Sequence, residues 1–233
     1  MTSGLHHVTL ITRKVQTNVD FYVGLLGLRL VKRTGGYEDA RQLHLFYGDA
    51  QGSPGSLVTV LIWEDGSPGR AGHGQVSEIA FAVAPTAIGF WLERALRFGM
   101  AAEGPQQEFG ETVLRLRDPD GFIVKLVATP LSGEGWTSDG IPPEHRIHRL
   151  RGVTLLSATQ EETVHFLATH AGFARQAREG GVERLRSEAG DCLDIRDAGG
   201  FWPGIPGTGT ADHVAVRAPD AARLSGIERE LSK

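Results

Sequence analysis

Leu5-His6-His7-Val8-Thr9-Leu10-Ile11 is a short aliphatic and β-branched run, and three later stretches repeat its character. They are Val76-Ser77-Glu78-Ile79-Ala80-Phe81-Ala82-Val83, Arg151-Gly152-Val153-Thr154-Leu155-Leu156 and Asp212-His213-Val214-Ala215-Val216. Such composition suits half-buried strands. A helical pattern follows each one. Val19, Tyr22, Val23 and Leu26 lead to Gly27; Phe90, Trp91, Ala95 and Phe98 to Gly99; Val164, Phe166, Leu167 and His170 to Gly172. In the fourth copy Ala222, Leu224, Ile227 and Leu231 begin the same helix. A glycine just past a helix is the residue of a left-handed cap.

Further strands follow the first three helices. Copy one offers Arg29 to Lys32, Gln42 to Tyr47 and Gly55 to Ile62. Copy two offers Glu111 to Leu116, the turn Asp118-Pro119-Asp120-Gly121, and Phe122 to Val127. Copy three offers Gly181 to Arg186 and Gly190 to Ile195. The period is β-α-β-β-β, which predicts an α+β fold built by repetition. Pro130 to Glu144 is rich in Gly, Pro and Ser and reads as a linker. The division expected is a two-module N-terminal domain over 1–130, a linker over 131–146, and a C-terminal domain over 147–233 whose fourth module is incomplete.

The quoted motifs resemble the vicinal-oxygen-chelate (glyoxalase/bleomycin resistance/dioxygenase) superfamily. Within it, Leu5 to Thr9, Val31-Lys32-Arg33-Thr34 and His44-Leu45-Phe46-Tyr47-Gly48-Asp49 with Gly52-Ser53-Pro54-Gly55 are similar to the ring-cleaving hydroquinone dioxygenase branch. The Asp-Pro-Asp-Gly hairpin is widespread across the superfamily. The resemblance implies curved mixed sheets of βαβββ modules. It also implies a non-heme iron(II) enzyme, with Mn(II) as an alternative metal, that opens a small aromatic diol with O2. Two histidines and a carboxylate would hold the metal, leaving positions open for substrate and O2.

The resemblance places the histidine ligands on the first strands of modules one and four. Aligning the four first strands puts His7, Glu78, Gly152 and His213 at one repeat position, so His7 and His213 are the expected metal ligands. His6 falls on the opposite face of a regular strand, yet the resemblance makes it a candidate for tuning the pocket. Asp212 stands where relatives often carry another histidine. The third ligand is expected on the last strand of module four. His7 to Thr59, Glu78 to Lys125 and Gly152 to Asp194 span 52, 47 and 42 residues. By that repeat the carboxylate falls at about 255 to 265, beyond residue 233. Thr59 and Lys125 cannot be anionic ligands, and Asp194 belongs to another module. The expectation is therefore a centre impaired by loss of its carboxylate, with weak iron binding and little turnover, and either a homo-oligomer covering the sheet edge left by the missing strands or a truncated product of a longer gene.

Other residues read as structural. Trp63, Trp91, Trp136 and Trp202 are scattered packing residues, His44 belongs with Leu43, Leu45 and Phe46 on a strand, and Cys192 is a small buried residue. His145 and His148, beside Arg146 and Arg149, read as solvated. Gly204-Ile205-Pro206-Gly207-Thr208-Gly209 lacks the Lys-Ser/Thr ending of a phosphate loop and precedes a strand. A net charge of −4 with interspersed signs offers no stripe for nucleic acid and no membrane anchor. One cysteine and an N-terminus without a secretion signal suit the cytoplasm. The rival function is a non-catalytic protein that sequesters a small molecule. A glyoxalase-type isomerase is disfavoured by Thr59 and Lys125.

Overall fold

The computed structural model describes residues 4–36, 41–131 and 138–232. Module one comprises β1 (Leu5–Thr12), α1 (Val15–Val19) running into a π-helical segment over Asp20–Leu25, β2 (Arg29–Gly35), β3 (Leu43–Gly48) and β4 (Leu57–Ile62). Module two comprises β5 (Gln75–Val83), α2 (Ile88–Arg97), β6 (Ala102–Glu108), β7 (Glu111–Arg117) and β8 (Ile123–Ala128). Module three repeats the pattern as β9 (Arg149–Ser157), α3 (Gln160–His170), β10 (Ala174–Glu179), β11 (Val182–Arg186) and β12 (Cys192–Asp197). The fourth copy supplies β13 (Ala211–Val216) and α4 (Ala221–Leu231). Gly27, Gly99 and Gly172 all adopt positive φ, at 71°, 68° and 69°, as helix-ending glycines do.

The strands form two curved sheets, ordered β13-β1-β4-β3-β2 and β10-β11-β12-β9-β5-β8-β7-β6. In each complete module the first strand pairs parallel with the last: β1 with β4, β5 with β8, β9 with β12. Modules then join first strand to first strand, antiparallel, through β1–β13 and β5–β9. Module one therefore shares a sheet with the fourth copy, and module two with module three. Strands adjacent along a shared concave floor thus come from opposite ends of the chain.

One buried apolar cluster, including Leu5, Tyr22, Tyr47, Phe81, Trp91, Leu126 and Ile195, draws on both sheets. They are also stitched by hydrogen bonds: Leu150 N donates to Gly55 O at 2.8 Å, and Leu5 N to Asp191 Oδ2 at 2.7 Å.

Strands β6 and β10 carry no apolar alternation and are not foreseen from the sequence. Both are edges of the eight-stranded sheet, and β10, Ala-Arg-Gln-Ala-Arg-Glu, is exposed throughout. Charge on an edge strand opposes pairing with another chain, which is why its composition conceals it. His145 and His148 are also not simply solvated. The His145 ring stacks on Phe90 with centroids 4.6 Å apart, its carbonyl accepts from Trp91 Nε1 at 2.9 Å, and both histidines are half-buried. Cys192 is buried as expected, with its Sγ 2.7 Å from Arg151 Nη1. Trp91 is fully buried and Trp202 is exposed, whereas Trp136 lies outside the described residues.

The second sheet buries charge. Glu78 on β5 pairs with Lys125 at 2.9 Å and Arg115 at 3.0 Å. Burial pushes its carboxyl upward, but the Lys125 and Arg115 charges outweigh that and hold it at about 2, against an ordinary 4.5. A depressed carboxyl pKa favours the fold above the unfolded value, and that contribution fades as pH falls from about 4.5 toward 2. Urea denaturation across this range should therefore show a steep acid loss in the parent that Glu78→Gln flattens. Equal slopes in the two proteins contradict the assignment.

Candidate metal centre

The first sheet is where the two expected ligands meet. β1 and β13 pair antiparallel, with Thr9 opposite His213 and His7 opposite Ala215. His7 Nε2 and His213 Nε2 stand 2.9 Å apart, their rings inclined at 80° with centroids 5.1 Å apart. Residues 206 positions apart in sequence thus aim equivalent nitrogens at one point.

Each ring is held from behind. His213 Nδ1 lies 2.7 Å from Asp212 Oδ2, a contact that engages Nδ1 and leaves Nε2 turned toward His7. The Asp212 departure from the resembled pattern thus has a definite use, orienting the neighbouring ring. His7 Nδ1 lies 2.9 Å from His6 Nδ1. A regular strand would send His6 to the other face, but the β1–β13 register slips between Leu5 and His7, and that irregularity turns it toward its neighbour.

Below the rings is a hydroxyl floor. Thr9 Oγ1 is 3.0 Å from His213 Nε2 and 2.8 Å from Thr59 Oγ1, and Thr59 Oγ1 is 2.9 Å from His44 Nε2. His44, expected to be structural, therefore borders the site, on β3 one strand beyond β4. Its imidazole tilts against Phe46, which also carries Lys32 above its ring. The sequence signal was the position of His44 beside the strand carrying Thr59, a pairing that only the sheet order discloses.

The electrostatics favour neutral rings. Burial, then the neighbouring His213, His6 and His44, lower His7 from 6.5 to about 4. Burial and Arg217 lower His6. Burial lowers His44 too, assisted by His213 and Lys32 against the opposing pull of Asp212. A neutral imidazole is the form that donates a lone pair to a metal.

These residues fit part of a metal site. Imidazole nitrogens bound at roughly 2.0–2.1 Å and at right angles about an ion stand about 2.9 Å apart, which matches the His7–His213 separation. The two short contacts, His6 Nδ1 to His7 Nδ1 and His7 Nε2 to His213 Nε2, are hydrogen bonds whose direction follows the imidazole tautomers. Among the described residues no third His, Cys, Asp or Glu joins the pair in a metal-holding group. Asp194, the one carboxylate at a last-strand repeat position, sits in the other sheet, bonded by Arg184.

Residues 4–126 match the Glyoxalase/Bleomycin resistance protein/Dioxygenase superfamily. The chain belongs to this superfamily. Among its relatives is "Putative ring-cleaving dioxygenase MhqO" of Bacillus subtilis (strain 168), 35% identical over 223 residues, covering 94% of this chain and 70% of the relative. A "Chlorohydroquinone/hydroquinone 1,2-dioxygenase" of Sphingobium indicum is 29% identical, covering 93% of this chain and 71% of its own length. The crystal structure of a "putative dioxygenase" from Bacillus subtilis superposes with a TM-score of 0.90 at 33% identity, over 99% of this chain and 75% of that one. The superfamily placement supports dioxygenase-type enzymology and a metal cofactor in general terms. No helix among the described residues is long and apolar enough to cross a membrane.

Proposed function

We propose that the His7–His213 pair is the metal-binding end of a ring-cleaving dioxygenase centre using iron(II), O2 and a hydroquinone- or catechol-like aromatic. The observation that carries this reading is the 2.9 Å approach of two Nε2 atoms from one repeat position in modules one and four. The names of the relatives support the reaction class and, in the Sphingobium protein, a hydroquinone substrate.

His7 and His213 would hold the metal from one side of the curved sheet. Bound there, iron(II) supplies the electronic coupling that lets O2 react with a closed-shell aromatic. Asp212 and His6 keep the Nδ1 atoms of the ligand rings engaged, so that both Nε2 lone pairs face the same point. Thr9, Thr59 and His44 offer a hydrogen-bonded floor on which a substrate hydroxyl can be oriented. His6 Nδ1 accepts the His7 proton in this arrangement and tunes the ring from the pocket side.

Anaerobic iron(II) titration followed by oxygen uptake with hydroquinone tests the reading. Iron bound in a single His7-dependent site, with uptake proportional to bound iron, is the expected result. Protein that retains no iron, or uptake indifferent to iron, contradicts it and favours sequestration of the aromatic.

A further inference from the structure

The repeat that unites His7 and His213 is used again in the eight-stranded sheet, where different side chains occupy the corresponding places. Parallel pairing sets Thr9 against Thr59, Ala80 against Lys125, and Thr154 against Asp194. Two residues before the first member of each pair stand His7, Glu78 and Gly152. The floor of the second sheet is thus assembled from Glu78, Lys125, Gly152 and Asp194. Gly152 adds no side chain, because a Cβ there would lie 2.4 Å from the Cys192 carbonyl oxygen.

At the centre of this floor is a cation belonging to the chain. Lys125 Nζ lies 2.9 Å from Glu78 Oε2, 3.4 Å from Glu108 Oε2 and 3.9 Å from Asp194 Oδ2. It donates to Thr154 Oγ1 at 3.2 Å, and that hydroxyl donates onward to Glu78 Oε2 at 2.9 Å. Lys125 is 4% exposed. Around it, Arg115 bonds Glu78 and Glu108, Arg184 grips Asp194 through two 2.7 Å bonds, and Arg184 and Arg151 share Glu111. Lys125, Arg115, Arg151 and Arg184 therefore face Glu78, Glu108, Glu111 and Asp194, four charges of each sign.

We infer that Lys125 is the built-in cation of the second half-barrel, its ammonium occupying the point on which Glu78, Glu108, Asp194 and Thr154 converge and excluding a metal ion from that lobe. A tethered ammonium has no dissociation equilibrium, so the network keeps its charge balance whatever the ionic medium. The oxygen atoms around Nζ are of the type that hard divalent cations prefer. A cavity of about 120 Å³ lined by Glu108, Lys125, Thr154 and Asp194 gives access from outside. Without the ammonium, the network would carry one uncompensated buried negative charge, a strongly unfavourable condition. A divalent cation entering by the cavity would relieve it. Resting on the proposed role of His7 and His213, the inference makes the first sheet the reactive face and the second its scaffold.

The test uses the full chain carrying His7→Ala, which disables the other pair, with and without Lys125→Met. The His7→Ala parent should bind no manganese(II), and millimolar Mn(II) should leave its melting temperature unchanged. Adding Lys125→Met should lower the melting temperature in chelator and let Mn(II) or Ca(II) restore several degrees, with one ion bound. Adding Glu78→Gln to Lys125→Met restores charge balance and should remove the cation response while recovering a folded protein in chelator. A Lys125→Met protein that melts like its parent, gains nothing from cation, or stays insoluble in both conditions overturns the inference. So does a manganese ion bound in the second lobe of the Lys125-bearing parent.

Discussion

His7→Ala is expected to abolish metal binding at the paired histidines while leaving the fold intact. Removing a residue that merely orients a metal ligand typically costs 10–100-fold in affinity, so removing the ligand itself should exceed about 100-fold. The stability of the metal-free protein should change by less than about 1 kcal/mol, because His7 is only half-buried and its loss empties a polar floor, not the apolar core. Iron titration by calorimetry, paired with urea denaturation, reads both quantities. Undiminished iron affinity would place the metal elsewhere, and a collapse in stability would make His7 a packing residue.

Trp91→Ala carries the largest effect expected on stability. The side chain is fully buried on α2 in the common core, and its indole N–H is engaged by the His145 carbonyl. Truncation opens a cavity and leaves that carbonyl without its donor, at a cost of about 3–5 kcal/mol. For a chain of this length each kcal/mol lowers the melting temperature by roughly 2–4 °C. The Phe90–His145 stack beside it should loosen as well. Equilibrium unfolding in urea is the measurement, and a loss below about 1 kcal/mol would mean that the 138–148 segment is not anchored through this tryptophan.

The sequence disclosed the modules where apolar periodicity was strong. The strands starting at Leu5, Gln75, Arg149 and Ala211, and the glycines that follow the π-helical segment, α2 and α3, are readable because burial and positive φ each demand particular residue types. Edge strands β6 and β10 were illegible for the opposite reason: an exposed edge is selected for charge and polarity, which look like loop. The repeat register aligned His7 with His213, but their contact depends on module one sharing a sheet with the fourth copy, a pairing no local signal encodes. His44 was passed over because its neighbour Thr59 lies on another strand. His6 was assigned to the far face because a register irregularity changes side-chain direction without changing composition. Glu78 is read in the sequence only as the module-two counterpart of His7, and Lys125 only as a residue unable to be an anionic ligand. Their role as partners in a buried charge network requires knowing that β5, β8 and β12 face one lobe.

The crucial measurement is the position of the ion itself. Crystals of iron(II)-reconstituted protein, grown without oxygen and measured at the iron absorption edge, should show one anomalous peak within about 2.2 Å of both the His7 and His213 Nε2 atoms. A peak elsewhere, or none with the two rings still hydrogen-bonded to each other, would contradict the account.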